Sequence, residues 1–98
     1  MSWTFTAELF RWQGDGAWFF VRVPQEISDD VRDSLTGPPG GFGSVRVDVT
    51  IGASTWTTSL FPEKASGTYV LPVKKAVRAA EGIDDGDTVT VEIVLEQA

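Results

Sequence analysis

The 98-residue chain contains no cysteine and no histidine. Without cysteine there is no disulfide and no thiol nucleophile, a usage that fits the cytoplasm, the expected location. Without either residue, a structural zinc site, a Cys–His pair and a Ser–His–Asp triad are excluded within the chain. Catalysis would fall to carboxylates, lysine, Tyr69 or hydroxyls, and no metal or cofactor is expected. Cations are scarce too: 8 Lys+Arg stand against 14 Asp+Glu, a net charge of −6. That balance weakens any general attraction to nucleic acid or anionic membrane. No apolar run approaches the roughly 20 residues of a membrane span. The opening "MSWTFTAELF" has no cationic n-region, so a secretory signal is not expected.

What is present suffices for one core. Apolar residues make up 42% of the chain, including four Trp and six Phe, and a chain of this length buries roughly 65% of its unfolded surface. We expect a single domain over 1–98, in monomeric form. "SWTFTAELFRW" and "AWFFVRV" read as strands joined by the turn "QGDG", whose residues tolerate positive φ. Trp3, Phe5, Ala7 and Leu9 share one face, while Phe10, Trp12, Trp18 and Phe20 partly cover the other. In "PQEISDDVRDSLTG", Ile27, Val31 and Leu35 form one stripe of a short helix, with Gly37 as its stop. "GPPGGFGS" is an irregular connection whose glycines would let backbone approach a ligand. "SVRVDVTI" alternates cleanly as a strand, followed by the strands "TWTTSLF" and "TYVL". Pro72 is expected to open a second helix that buries Val73, Ala76, Val77 and Ala80 and stops at Gly82. "IDDGD" turns the chain into the last strand, "TVTVEIVLE".

The order repeats. Residues 3–51 and 55–96 each run strand, strand ending at proline, helix, connection, strand, and "VRVPQEISDDVR" parallels "YVLPVKKAVR" with two extra residues. The expected fold is mainly β with two short helices: a six-stranded pseudo-barrel closed by one chain from two ββαβ halves. Closure would remove the sheet edges.

Two resemblances follow. "VLPVKKAVRAAEGIDDGDTVTVEI" resembles the swapped-hairpin motif of bacterial AbrB-type regulators and antitoxins, in which a homodimer completes the barrel. "WFFVRVP", "VRVDVTIGASTWTTSLFP" and "GTYVLPVKKAVRAAEGIDDGDTVTVEI", in that order, resemble the bacterial and archaeal family called domain of unknown function 1905. The run from Trp56 to Leu60, followed by Gly67 and the Leu71–Pro72 helix, is its most specific part. The resemblance implies a double-split, AbrB-like β-barrel and brings no established activity.

The candidate ligand-binding residues are Arg46, Trp56, Ser59, Lys74, Lys75 and Arg78. At about 100° per residue, Lys74, Lys75 and Arg78 fall together, opposite the side that buries Val73 and Val77. Glu81 falls close enough to neutralise part of that patch. The polar residues of "TWTTSLF", with Arg46 and Asp48 on the preceding strand, are expected to line a groove backed by Trp56. The reading is a binding or accessory module for a small anionic ligand or a protein partner. An AbrB-like DNA-binding role is the first alternative, carried by Arg46, Lys74, Lys75 and Arg78. Tight salt-sensitive binders neutralise on the order of 6–10 phosphates, more than this acidic chain readily supplies. A hydrolase built on Ser59 and Lys74 is the second, and no catalytic residue is assigned. "DDGD" lacks calcium-loop spacing and reads as a turn.

Overall fold

The computed structural model describes residues 1–14, 16–35 and 43–96. Gly37 and most of the 37–44 connection lie outside these residues, as does Asp15 of the first turn. Among the described residues the chain forms seven strands and two helices. These are β1 (Ser2–Glu8), β2 (Phe10–Arg11), β3 (Phe19–Arg22), α1 (Gln25–Asp33), β4 (Val45–Ile51), β5 (Ser54–Glu63), β6 (Thr68–Pro72), α2 (Lys75–Glu81) and β7 (Thr88–Leu95). All strand pairs are antiparallel, in the order β1-β7-β4-β5-β6-β3-β2.

Alternation explains the middle of the sheet. Val45, Val47, Val49 and Ile51 of β4, and Val89, Val91, Ile93 and Leu95 of β7, are buried, and the residues between them, polar except for Val94, turn outward. β-branched side chains suit such a half-buried pleated surface. Leu9, Leu60 and Leu71 complete the core, each with no exposed surface.

The two ends of the strand order are neighbours in sequence, separated only by Leu9. At about 4.8 Å per strand, six steps across a flat sheet would separate β1 from β2 by roughly 29 Å. Three consecutive residues span at most about 7 Å between their outer Cα atoms. The sheet is therefore curled.

The seventh strand comes from a break. Leu9 leaves the ladder: its N–H donates to Asp87 O at 2.8 Å and its carbonyl accepts from Gly86 N at 2.7 Å. The turn before β7 thus fills the gap between β1 and β2. β5 makes the same change of partner without breaking. Its residues Ser54–Leu60 pair with β4, and Phe61–Glu63 pair with β6.

Hydrogen bonds relate the strand–helix junctions at an offset of 50 residues. Val23 N donates to Tyr69 O and Val73 N to Phe19 O, both at 2.9 Å. Ser28 Oγ donates to Val23 O, and Arg78 Nε donates to Val73 O. Arg32 lies 5.7 Å from the Tyr69 ring centre and Arg78 lies 3.8 Å from that of Phe19. Each helix therefore sets its arginine on an aromatic ring of the other junction. Matched this way, Val23 corresponds to Val73, and Pro24 corresponds to Lys74 rather than to Pro72.

That correspondence corrects the second helix. Pro72 belongs to β6, opposite Phe20. The bond from Val73 N to Phe19 O holds the chain extended for one more residue, so α2 starts at Lys75 with Lys74 as its N-cap. The later start rotates the helix from the expected setting. Val77 is buried, Arg78 and Glu81 are half-buried, and Ala76 and Ala80 are exposed. Gly82 does stop the helix, in the left-handed conformation at φ 64°. In α1 the expected stripe holds: Val31 is buried, and Ile27 and Leu35 pack against the core.

Candidate functional site

Two grooves open side by side, and both are lined by Trp18 and Pro72. The first, of about 610 Å³, lies between β5 and α2. Its geometry follows from the partner change in β5. β6 pairs only with Phe61–Glu63, so the earlier part of β5 has no described strand on the side away from β4. The chain around Trp56–Thr58 forms one wall, and Phe19, Val73 and the start of α2 form the other. Trp56 is half-buried opposite Val49, and a cross-strand row runs from it through Val49 and Ile93 to Trp3.

Three cations line this groove: Lys74, Lys75 and Arg78. No carboxylate among the described residues lines it. Lys74 and Lys75 are exposed and take part in no ion pair among the described residues. Arg78 is partly withdrawn from solvent, with its guanidinium over Phe19 and its Nε bonded to Val73 O at 3.2 Å. Delocalised charge on a planar group suits that stacked position, which a lysine would fill poorly. Glu81 does not neutralise the patch as expected. Its carboxylate accepts from Ser54 Oγ at 2.6 Å and from Ala53 N at 3.4 Å, holding the β4–β5 turn.

The groove gathers Trp56, Lys74, Lys75 and Arg78 from the candidate residues but leaves out Arg46 and Ser59. Those two face each other across β4 and β5, on the outer side of the sheet. The reason is strand alternation. Val45, Val47 and Val49 point inward with Trp56 and Thr58, so Arg46 and Asp48 point outward with Thr57 and Ser59. Thr57 Oγ1 donates to Asp48 Oδ1 at 2.7 Å on that outer face. A Ser59–Lys74 nucleophile is therefore split between two surfaces. The "IDDGD" turn is also structural, since Asp85 Oδ1 accepts from Arg11 N and Asp87 Oδ2 from Asp84 N. No group of three or more potential metal-binding side chains occurs among the described residues.

Sequence reasoning missed Trp18, the wall common to both grooves. It is 59% exposed and stacked on Phe20, with ring planes 17° apart. The only signal was an aromatic just before a strand whose other face was already apolar. The second groove, about 710 Å³, is lined by Trp12, Trp18, Phe20, Phe61, Pro62 and Val70 among others. Its one carboxylate, Glu63, is engaged. It takes two hydrogen bonds from Arg22, at 2.8 and 3.2 Å, and one from Ser66 Oγ at 2.7 Å. These donors hold its carboxyl below the usual glutamate range.

No helix is long and apolar enough to cross a membrane among the described residues. No curated protein matches the sequence. A family model matches residues 5–93, nearly the whole chain, and on that match the chain belongs to the family described as domain of unknown function DUF1905.

Proposed function

We propose that the domain is a binding module that holds a small anion in the groove between β5 and α2. One observation carries this reading. A chain of net charge −6 places three cations along one groove that no carboxylate among the described residues lines. Without a bound anion, the mutual repulsion of Lys74, Lys75 and Arg78 is relieved only by solvent and salt. The aromatic walls at Trp18, Phe19 and Trp56 supply the apolar remainder of a small-ligand site.

The scaffold we propose is a six-stranded double-split barrel of two ββαβ halves, with β1 and β2 counted as one bent strand. The matching partner changes in that strand and in β5, and the 50-residue offset between the two junctions, support it. The split beside β5 is then the feature that opens the groove. A duplex-DNA surface receives less support, because Arg46 lies on the outer sheet face and does not join the three groove cations.

A thermal-shift screen of phosphate, carboxylate and nucleotide anions at low and moderate salt tests the proposal. At least one anion should raise the melting temperature of the native chain. That gain should vanish in Lys74→Glu/Lys75→Glu, whose own melting temperature should stay near the native one because both side chains are exposed. Equal stabilisation of the two proteins would refute the site.

A further inference from the structure

Resting on that reading, the geometry points to an amphiphilic small molecule as the ligand: one anionic head group on a hydrocarbon or aryl body. We infer that the head lies against Lys74 and Lys75 and the body crosses Trp18 into the neighbouring aromatic groove. The grooves adjoin, with Trp18 and Pro72 as their common wall. Their chemistries differ sharply. One carries the three cations. The other is walled by Trp12, Trp18, Phe20, Phe61, Pro62 and Val70.

Three features assign an apolar body to the second groove. Its side chains form a preassembled cluster, with Trp12 edge-on to Phe20 at 5.9 Å and Trp18 stacked on Phe20 at 6.5 Å. The rings stay open to solvent even so: Trp12 is 46%, Trp18 59% and Phe61 41% exposed. Covering apolar area of this kind is favourable by about 25 cal/mol per Å². The groove's carboxylate is also occupied by Arg22 and Ser66 and is not available to orient a polar ligand. Among the described residues, Lys64 is the only cation that lines it. A ligand polar along its whole length would leave the aromatic groove uncovered, and an uncharged one would leave Lys74 and Lys75 unmatched. Carboxylate and phosphate heads share the chemistry required.

Isothermal titration of the full chain at low salt tests this, with dodecanoate and dodecyl phosphate below their micelle concentrations. Acetate and inorganic phosphate serve as head-only probes, and dodecanol as the body-only probe. The chained anions should bind at least about tenfold tighter than head-only probes and dodecanol, a difference of about 1.4 kcal/mol. Phe61→Ser, at a partly exposed position, should weaken the chained anions and leave phosphate unchanged. Lys74→Glu/Lys75→Glu should weaken both. If phosphate binds but the chained anions bind no tighter, the amphiphile is wrong while the anion site stands. If no anionic probe binds, the anion site fails as well. Dodecanoate binding indifferent to the charge reversal would overturn the head assignment. Binding to anionic phospholipid vesicles without binding to the soluble amphiphiles would overturn the small-molecule assignment in favour of a membrane surface.

Discussion

Ser28 is the one hydroxyl residue with no exposed surface among the described residues, and its hydroxyl joins helix to sheet. Its Oγ donates to Val23 O and accepts from Tyr69 N, both at 3.1 Å. Tyr69 is itself buried, at 4% exposure, so water cannot replace a lost acceptor there. Ser28→Ala keeps the backbone and helix propensity but strands the Tyr69 N–H. A buried donor left without a partner costs about 1–3 kcal/mol. Taking about 2 kcal/mol, and 4–8 °C per kcal/mol for a domain of this size, the melting temperature should fall by roughly 8–16 °C. Thermal and urea unfolding followed by circular dichroism measure the loss, and amide exchange at Tyr69 should accelerate beyond the global change. Ser34→Ala is the control, since that hydroxyl bonds Asp30 O at the exposed end of the same helix. Its effect should stay within about 0.5 kcal/mol. A Ser28→Ala protein as stable as the Ser34→Ala control would refute the bridge.

Three further perturbations probe the frame around the grooves. Gly52→Ala should destabilise by at least about 1–2 kcal/mol, because the residue is left-handed at φ 59°. The added methyl would also fall on the Glu81 carboxylate. Glu81→Ala should absorb part of the cost in a double-mutant cycle, and strict additivity would contradict the contact. Glu63 titrates below its unfolded value, chiefly through its bonds from Arg22 and then Ser66. Its contribution is therefore complete above the ordinary glutamate range and is lost as pH falls through the lowered folded value. Melting curves from pH 7 to 3 should show a shallower acid loss in Glu63→Gln than in the native chain. Parallel curves would remove Glu63 from the acid response. Arg78→Lys keeps the charge but forfeits the Nε–Val73 bond and the flat contact on Phe19. It should cost about 1–2 kcal/mol, whereas charge reversal at exposed Lys74 and Lys75 should cost almost nothing. Equal effects would show that Arg78 is not a structural cation.

Strand positions were legible wherever side chains alternate, as in Val45–Ile51 and Thr88–Leu95. The break at Leu9 was not, because it depends on a turn almost eighty residues away supplying Gly86 and Asp87. Proline chemistry misplaced the start of α2. A proline often opens a helix, but here the bond from Val73 N to Phe19 O keeps the residues after Pro72 in the sheet. The same error set Arg78 on the outer side and Glu81 beside the lysines. The sequence singles out Lys74 and Lys75 for their charge and Trp56 as the backing of a groove with Arg46 and Asp48, but the meeting of the lysines with Trp56 in one groove depends on the β5–α2 packing. The loss of Arg46 and Ser59 follows from period-2 alternation that the sequence already displayed. Trp18 needed three-dimensional information, because only the curl of the sheet sets it between two grooves.

The central claim is that the groove beside Lys74, Lys75 and Trp56 receives an anion. Nuclear magnetic resonance titration of the labelled chain with the tightest anion from the screen tests it most directly. The account predicts shifts concentrated at the indole N–H groups of Trp18 and Trp56 and the amides of Lys74, Lys75 and Arg78, all abolished by Lys74→Glu/Lys75→Glu. Shifts centred instead on Arg46 and Ser59 of the outer sheet face, or unchanged by that substitution, would contradict it.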